Sequence, residues 1–194
     1  MKKIIIFLGI IILIFNLGGC NVKSISLEQS QKNFVYYKNQ LKTIVSAYHL
    51  KISELPTEKV EDGLYQSFLI TINNTQNITV NLSNNASKDR KGCEDAEFIY
   101  KNTKNKKSFD LTLFIKIVNV LSGKEITKDY CAKFLSDPEG KHSPERYGID
   151  KDENKKIFKY DFLNFGEDWS IGYSLYNDGT EDLTFWGLTK QLEN

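Results

Sequence analysis

Apolar residues fall into short blocks along the chain, and the spacing inside each block predicts an element. From Leu27 onward, Leu27, Phe34, Tyr37, Leu41, Ile44 and Tyr48 recur at three- and four-residue steps, the mark of one helix face. Ser26 with Gln29 forms a capping-box pattern at its start, and the helix should reach about Leu50, ahead of Pro56. Leu64 to Ile72 and Ile78 to Leu82 read as strands joined by the turn Asn73-Asn74-Thr75-Gln76-Asn77, with Glu97 to Lys101 as a third.

The block Phe109 to Leu121 fits two periods. Phe109, Leu111, Leu113, Ile115 and Ile117 alternate as in a strand, whereas Leu113, Phe114, Ile117, Val118 and Leu121 make a helical stripe. Its length and the Ser122-Gly123 stop favour a helix, with Ser108 as its cap. A second short helix, capped by Ser122 or Thr127, should carry Cys131 to Leu135 and end at Asp137-Pro138. After a polar loop over 137–155, three strands are expected: Ile157 to Leu163, Trp169 to Tyr176 and Leu183 to Leu188. Asn177-Asp178-Gly179-Thr180 between the last two is a strong hairpin signal.

These elements predict an α+β fold, with an N-terminal helix and a central helical segment packed on antiparallel sheet. The order helix, then three strands, occurs twice, over 27–102 and 108–190. That layout resembles the tandem α-β-β-β domains of small extracytoplasmic inhibitor and outer-membrane assembly lipoproteins. The alternative is one α+β domain over 27–194.

The first twenty residues follow a different pattern. Met1-Lys2-Lys3 precedes an apolar run, Ile4 to Phe15, and Leu17-Gly18-Gly19-Cys20 closes it. The run is too short to span a bilayer, which takes about 20 residues. The whole resembles a bacterial lipoprotein signal peptide with its lipobox. The resemblance implies cleavage after Gly19, lipid on Cys20, residues 20–26 as a tether, and an outward-facing domain on the cell membrane. Two acyl chains from such a modification anchor firmly, where one binds only marginally.

Charge and composition narrow the partners. Loss of residues 1–19 removes Lys2 and Lys3, so 24 Lys plus Arg face 25 Asp plus Glu and the net charge moves from +1 to −1. A mixed, near-neutral surface gives no reason to expect nucleic acid. Aromatic residues make up 12% of the chain, a globular rather than a disordered composition.

Cys93 and Cys131 remain after Cys20. In an exported chain they suggest a disulfide; two free thiols, one buried, are the other reading. Neither stands in a C-x-x-C, so zinc and redox catalysis gain no support.

Candidate chemistry is sparse. His49 ends the first helix and His142 lies in a loop beside Ser143, with no spacing that supplies a positioned base and orienting acid. Asp150, Asp152, Asn154 and Asp161 match part of a calcium-loop pattern, but Lys155 replaces its glycine, so a solvated charged loop is the better reading. Asn73, Asn77, Asn81 and Asn85 each head an N-x-[ST] triplet, which carries little meaning in a bacterial lipoprotein. No phosphate loop, metal motif or nucleophile elbow occurs, and no cofactor is expected.

Tyr176, Phe185 and Trp186 are the candidate binding surface. Phe185 and Trp186 are neighbours on a strand and must point to opposite sides, so one faces away from the core. The expectation is therefore a membrane-held binding or interaction module, inhibitor- or immunity-like, with a protein or envelope polymer as partner. The rival is an envelope hydrolase using acids among Asp150, Asp152, Glu167 and Asp168.

Overall fold

The computed structural model describes residues 25–55, 63–85, 93–103, 110–136, 147–148, 155–162 and 169–189. Three helices and eight strands occur there: α1 (Leu27–Ala47), β1 (Lys51–Glu54), β2 (Gly63–Asn73), β3 (Gln76–Asn85), β4 (Cys93–Asn102), α2 (Leu111–Ser122), α3 (Lys128–Ser136), β5 (Tyr147–Gly148), β6 (Lys155–Phe162), β7 (Trp169–Tyr176) and β8 (Glu181–Leu188). The fold is α+β, as the periodicity predicts.

All eight strands form one antiparallel sheet in the order β1-β2-β3-β4-β8-β7-β6-β5. Two four-stranded meanders meet where β4 pairs with β8, with Phe98 opposite Phe185. Each meander has one strand more than the sequence suggested. The additions are the outer edges, β1 with four residues and β5 with two. Both are too short to display an alternation, and short strands are a common way to blunt a sheet edge.

α1 begins as its capping residues dictate: the Ser26 hydroxyl accepts from the Gln29 backbone N–H at 3.2 Å. Phe34, Tyr37, Leu41 and Ile44 are buried, but Leu27, in the first turn, is 45% exposed. The helix stops at Ala47 rather than Leu50. His49 has φ 56, a left-handed turn that sends the chain straight into β1. His49 itself is exposed.

The ambiguous block is a helix, α2. Its cap is Asp110, whose carboxylate accepts from the Thr112 N–H at 3.1 Å, in place of the expected Ser108, which lies outside the described residues. Gly123, at φ 69, ends it. Asn119 donates to the Ile126 carbonyl and accepts from its N–H, both at 2.9 Å, and so fixes the link to α3. Of the two expected caps for α3, Thr127 serves, accepting from the Tyr130 N–H.

α1 packs on β1, β2 and β3, and α2 packs on β4 and β8 at the seam while touching α1 and α3. The alternate residues Ile78, Val80 and Leu82, then Ala96, Phe98 and Tyr100, then Leu183 and Phe185, are all buried beneath them. Phe114 of α2 lies between the two meanders, 5.4 Å from Tyr100 and 5.5 Å from Phe185, ring centre to ring centre. Each such buried ring contributes about 2–3 kcal/mol by removal from water. The seam therefore joins the halves through a shared core.

Candidate functional site

The opposite face of the sheet has no described helix over it, and its side chains are mostly polar. Alternation decides this locally: with Phe68, Val80, Phe98 and Phe185 turned toward the helices, Ser67, Asn81, Glu97 and Trp186 share the other face, where Ser67 is buried and the other three are partly exposed. Strand register then sets these four side by side. Ser67 pairs with Asn81, Asn81 with Glu97, Glu97 with Trp186, and Trp186 with Ser170. One lateral row thus crosses β2, β3, β4, β8 and β7.

The row is connected by hydrogen bonds on its left half. The Ser67 hydroxyl donates to Asn81 Oδ1, and Asn81 Nδ2 donates to Glu97 Oε2 at 2.9 Å. The Glu97 carboxylate is thereby held in place by a neighbour that is itself held. Trp186, directly across from it, is half-buried. Asp95 shares this face two residues along β4, while Lys101 and Lys51 stand at its other end, Lys101 across from Asp182. Among the described residues of this face, Glu97 and Asp95 stand near the indole, and Lys101 and Asp182 pair further along the strands.

Of the expected aromatic surface, Phe185 is buried and Tyr176 and Trp186 are only partly exposed. Phe185 is fully buried against Phe114, whereas Trp186 lies on the open face. Tyr176 shares that face but is six residues further along β7 than Ser170, roughly 20 Å from the Trp186 row. The three aromatics are therefore not one cluster, and Trp186 stands with Glu97, Asn81 and Ser67 instead. The sequence showed each of these as a polar or aromatic position in a strand. It carried no signal that they share a row, since that depends on register.

A second polar pair lies on the helix side. The Tyr173 hydroxyl donates to Glu181 Oε1 at 2.9 Å, and Glu181 is 2% exposed with no hydrogen-bond partner on Oε2 among the described residues. Burial first, then the bond to Glu181 and its charge, raises the Tyr173 hydroxyl above the usual tyrosine range. Asp182, next in sequence, belongs to the other face. This pair braces the end of the β7–β8 hairpin.

Cys131 is a free thiol buried in the core, so the bridge to Cys93 is not formed. Its burial among apolar groups pushes the thiol up to about 12, while Cys93 opens β4 opposite Asn85, at an end of the sheet. Cys20, His142, Asp150, Asp152, Asn154, Glu167 and Asp168 lie outside the described residues, and Asp161 is described only as a backbone position in β6. Among the described residues no three His, Cys, Asp or Glu side chains gather as metal ligands would. Among them, too, no helix is long and apolar enough to cross a membrane.

Comparison with protein-family models, with curated proteins and with solved structures found no match for this chain. The class defined by the fold is thus the antiparallel α+β sheet protein described above.

Proposed function

We propose that this chain is a lipid-anchored extracytoplasmic binding module that engages its partner through the open sheet face around Trp186. The observation that carries the reading is the placement of a partly buried indole within an ordered polar row, on the sheet face turned away from the described helices. Interface anchors are enriched in Trp, and they work best when fixed by their surroundings. The Ser67–Asn81–Glu97 chain supplies that fixity beside Trp186. The Leu17-Gly18-Gly19-Cys20 segment supports the membrane address, with only residues 21–26 between Cys20 and α1.

Site-specific photo-crosslinking in the native cell tests the face. A crosslinking side chain at position 186 should capture a partner that the same side chain at Tyr36, exposed on α1, does not. Equal yields from both positions would remove the open face as the docking surface.

A further inference from the structure

We propose that the outer side of α1 lies against the phospholipid headgroups of the membrane that holds Cys20; this rests on the lipid-anchor reading above. Leu27 follows Cys20 by seven residues, a stretch that spans at most about 25 Å. α1 itself has 21 residues and is about 32 Å long. Its first turns therefore stay within reach of the bilayer surface, and a soluble partner on its outer side would have to wedge between helix and lipid.

Composition tells which side of α1 meets the lipid. At about 100° per residue, Glu28, Lys32, Val35, Tyr36, Asn39 and Lys42 fall in one arc, opposite the buried stripe Phe34, Tyr37, Leu41 and Ile44. All six are exposed, Val35 to 59%. Among the described residues the exposed large apolar side chains are Leu27, Val35, Tyr36 and Leu55, and the first three stand on α1. Leu55 follows Glu54, which pairs with Lys38 of α1, one turn from Val35. Exposed apolar surface is thus gathered on α1 and the edge strand beside it. Aliphatic and tyrosyl side chains interleaved with lysines suit the headgroup layer: the apolar groups enter it while the ammonium groups stay at the phosphates. Glu28, the one acid of α1, is held by Lys32 at 3.0 Å, and Lys42 adds an exposed positive charge suited to anionic lipid. Because α1 packs on the other side of the sheet, this seating turns the face that carries Trp186 away from the membrane, toward a partner.

A photo-crosslinking side chain at position 35 of the full chain, in its own cells, tests the contact. Asn39, on the same arc, repeats the measurement, and Thr71, exposed on the sheet face turned away from the helices, is the control. Mass spectrometry of the recovered protein reads phospholipid adducts. Adducts are expected at positions 35 and 39 and not at 71, and Lys42→Glu should lower the yield at 35 with an unchanged thermal midpoint. No adduct at 35 and 39, equal adducts at 35 and 71, or capture of a protein at 35 in place of lipid overturns the seating. Fatty-acid labelling of the same cells separates the two readings. Label on Cys20 without lipid adducts at 35 and 39 ends the seating and leaves the anchor, whereas absence of label ends the anchor and the seating with it.

Discussion

The Tyr100 hydroxyl accepts a hydrogen bond from the Asp110 backbone N–H at 2.8 Å, tying the middle of the sheet to the start of α2. Asp110 is also the N-cap of that helix, so one tyrosine on β4 fixes where α2 begins above the seam. Burial raises the Tyr100 hydroxyl above its ordinary range, partly offset by this bond. Tyr100→Phe keeps the ring against Phe114 and removes the hydroxyl that accepts this bond. It should cost about 1 kcal/mol in urea unfolding, with no change in the denaturant slope.

Phe185 and Trp186 are adjacent in sequence and opposite in consequence. Phe185→Ala should destabilise by about 3–5 kcal/mol, the cost of emptying a packed aromatic site. Trp186→Ala should cost no more than about 1 kcal/mol, the scale of a cross-strand pair, and should abolish partner capture in cells. Chemical denaturation of both variants beside a pull-down separates the roles. A Trp186→Ala protein as unstable as Phe185→Ala would place the indole in the core.

Cys131 should resist alkylation in the native protein, because burial holds its thiol at a pKa of about 12 and leaves almost no thiolate at pH 8. Unfolding in the absence of reductant should expose it to full alkylation. Peptide mass mapping reads this residue by residue, and a need for reductant would restore the bridge to Cys93.

The Lys38–Glu54 ion pair links α1 to the edge strand β1. The hydrogen bond from Lys38 holds the Glu54 carboxyl below its ordinary range, opposed by a smaller desolvation effect. A lowered folded pKa means the pair stabilises above the unfolded carboxylate value, and its contribution disappears as pH falls through the folded one. Solvent screening keeps it below about 1 kcal/mol. Lys38→Met should therefore lower stability slightly at pH 7 and not at pH 2, in paired urea titrations.

Cys20→Ala should leave the chain without lipid and with its first 19 residues uncleaved. Metabolic labelling with a fatty acid checks it: label on wild type and none on the variant is expected. Label retained by the variant would remove Cys20 as the anchor.

Local chemistry was legible wherever neighbours in sequence are neighbours in space. Ser26 capping α1, Gly123 closing α2, the Asn177–Thr180 hairpin and the opposite facing of Phe185 and Trp186 all follow from backbone geometry within a few residues. Leu27 showed the limit of periodicity, since a stripe on a helix says nothing of how far the sheet extends beneath it. The short edges β1 and β5 left no pattern to read, and the burial of Cys131 depended on where α3 comes to rest. The candidate site lay furthest from reach. Ser67, Asn81, Glu97 and Trp186 are separated by long stretches of chain, and their row exists only because β4 pairs with β8 in one register. A shift by one residue would turn Trp186 into the core and take Phe185 away from its contact with Phe114.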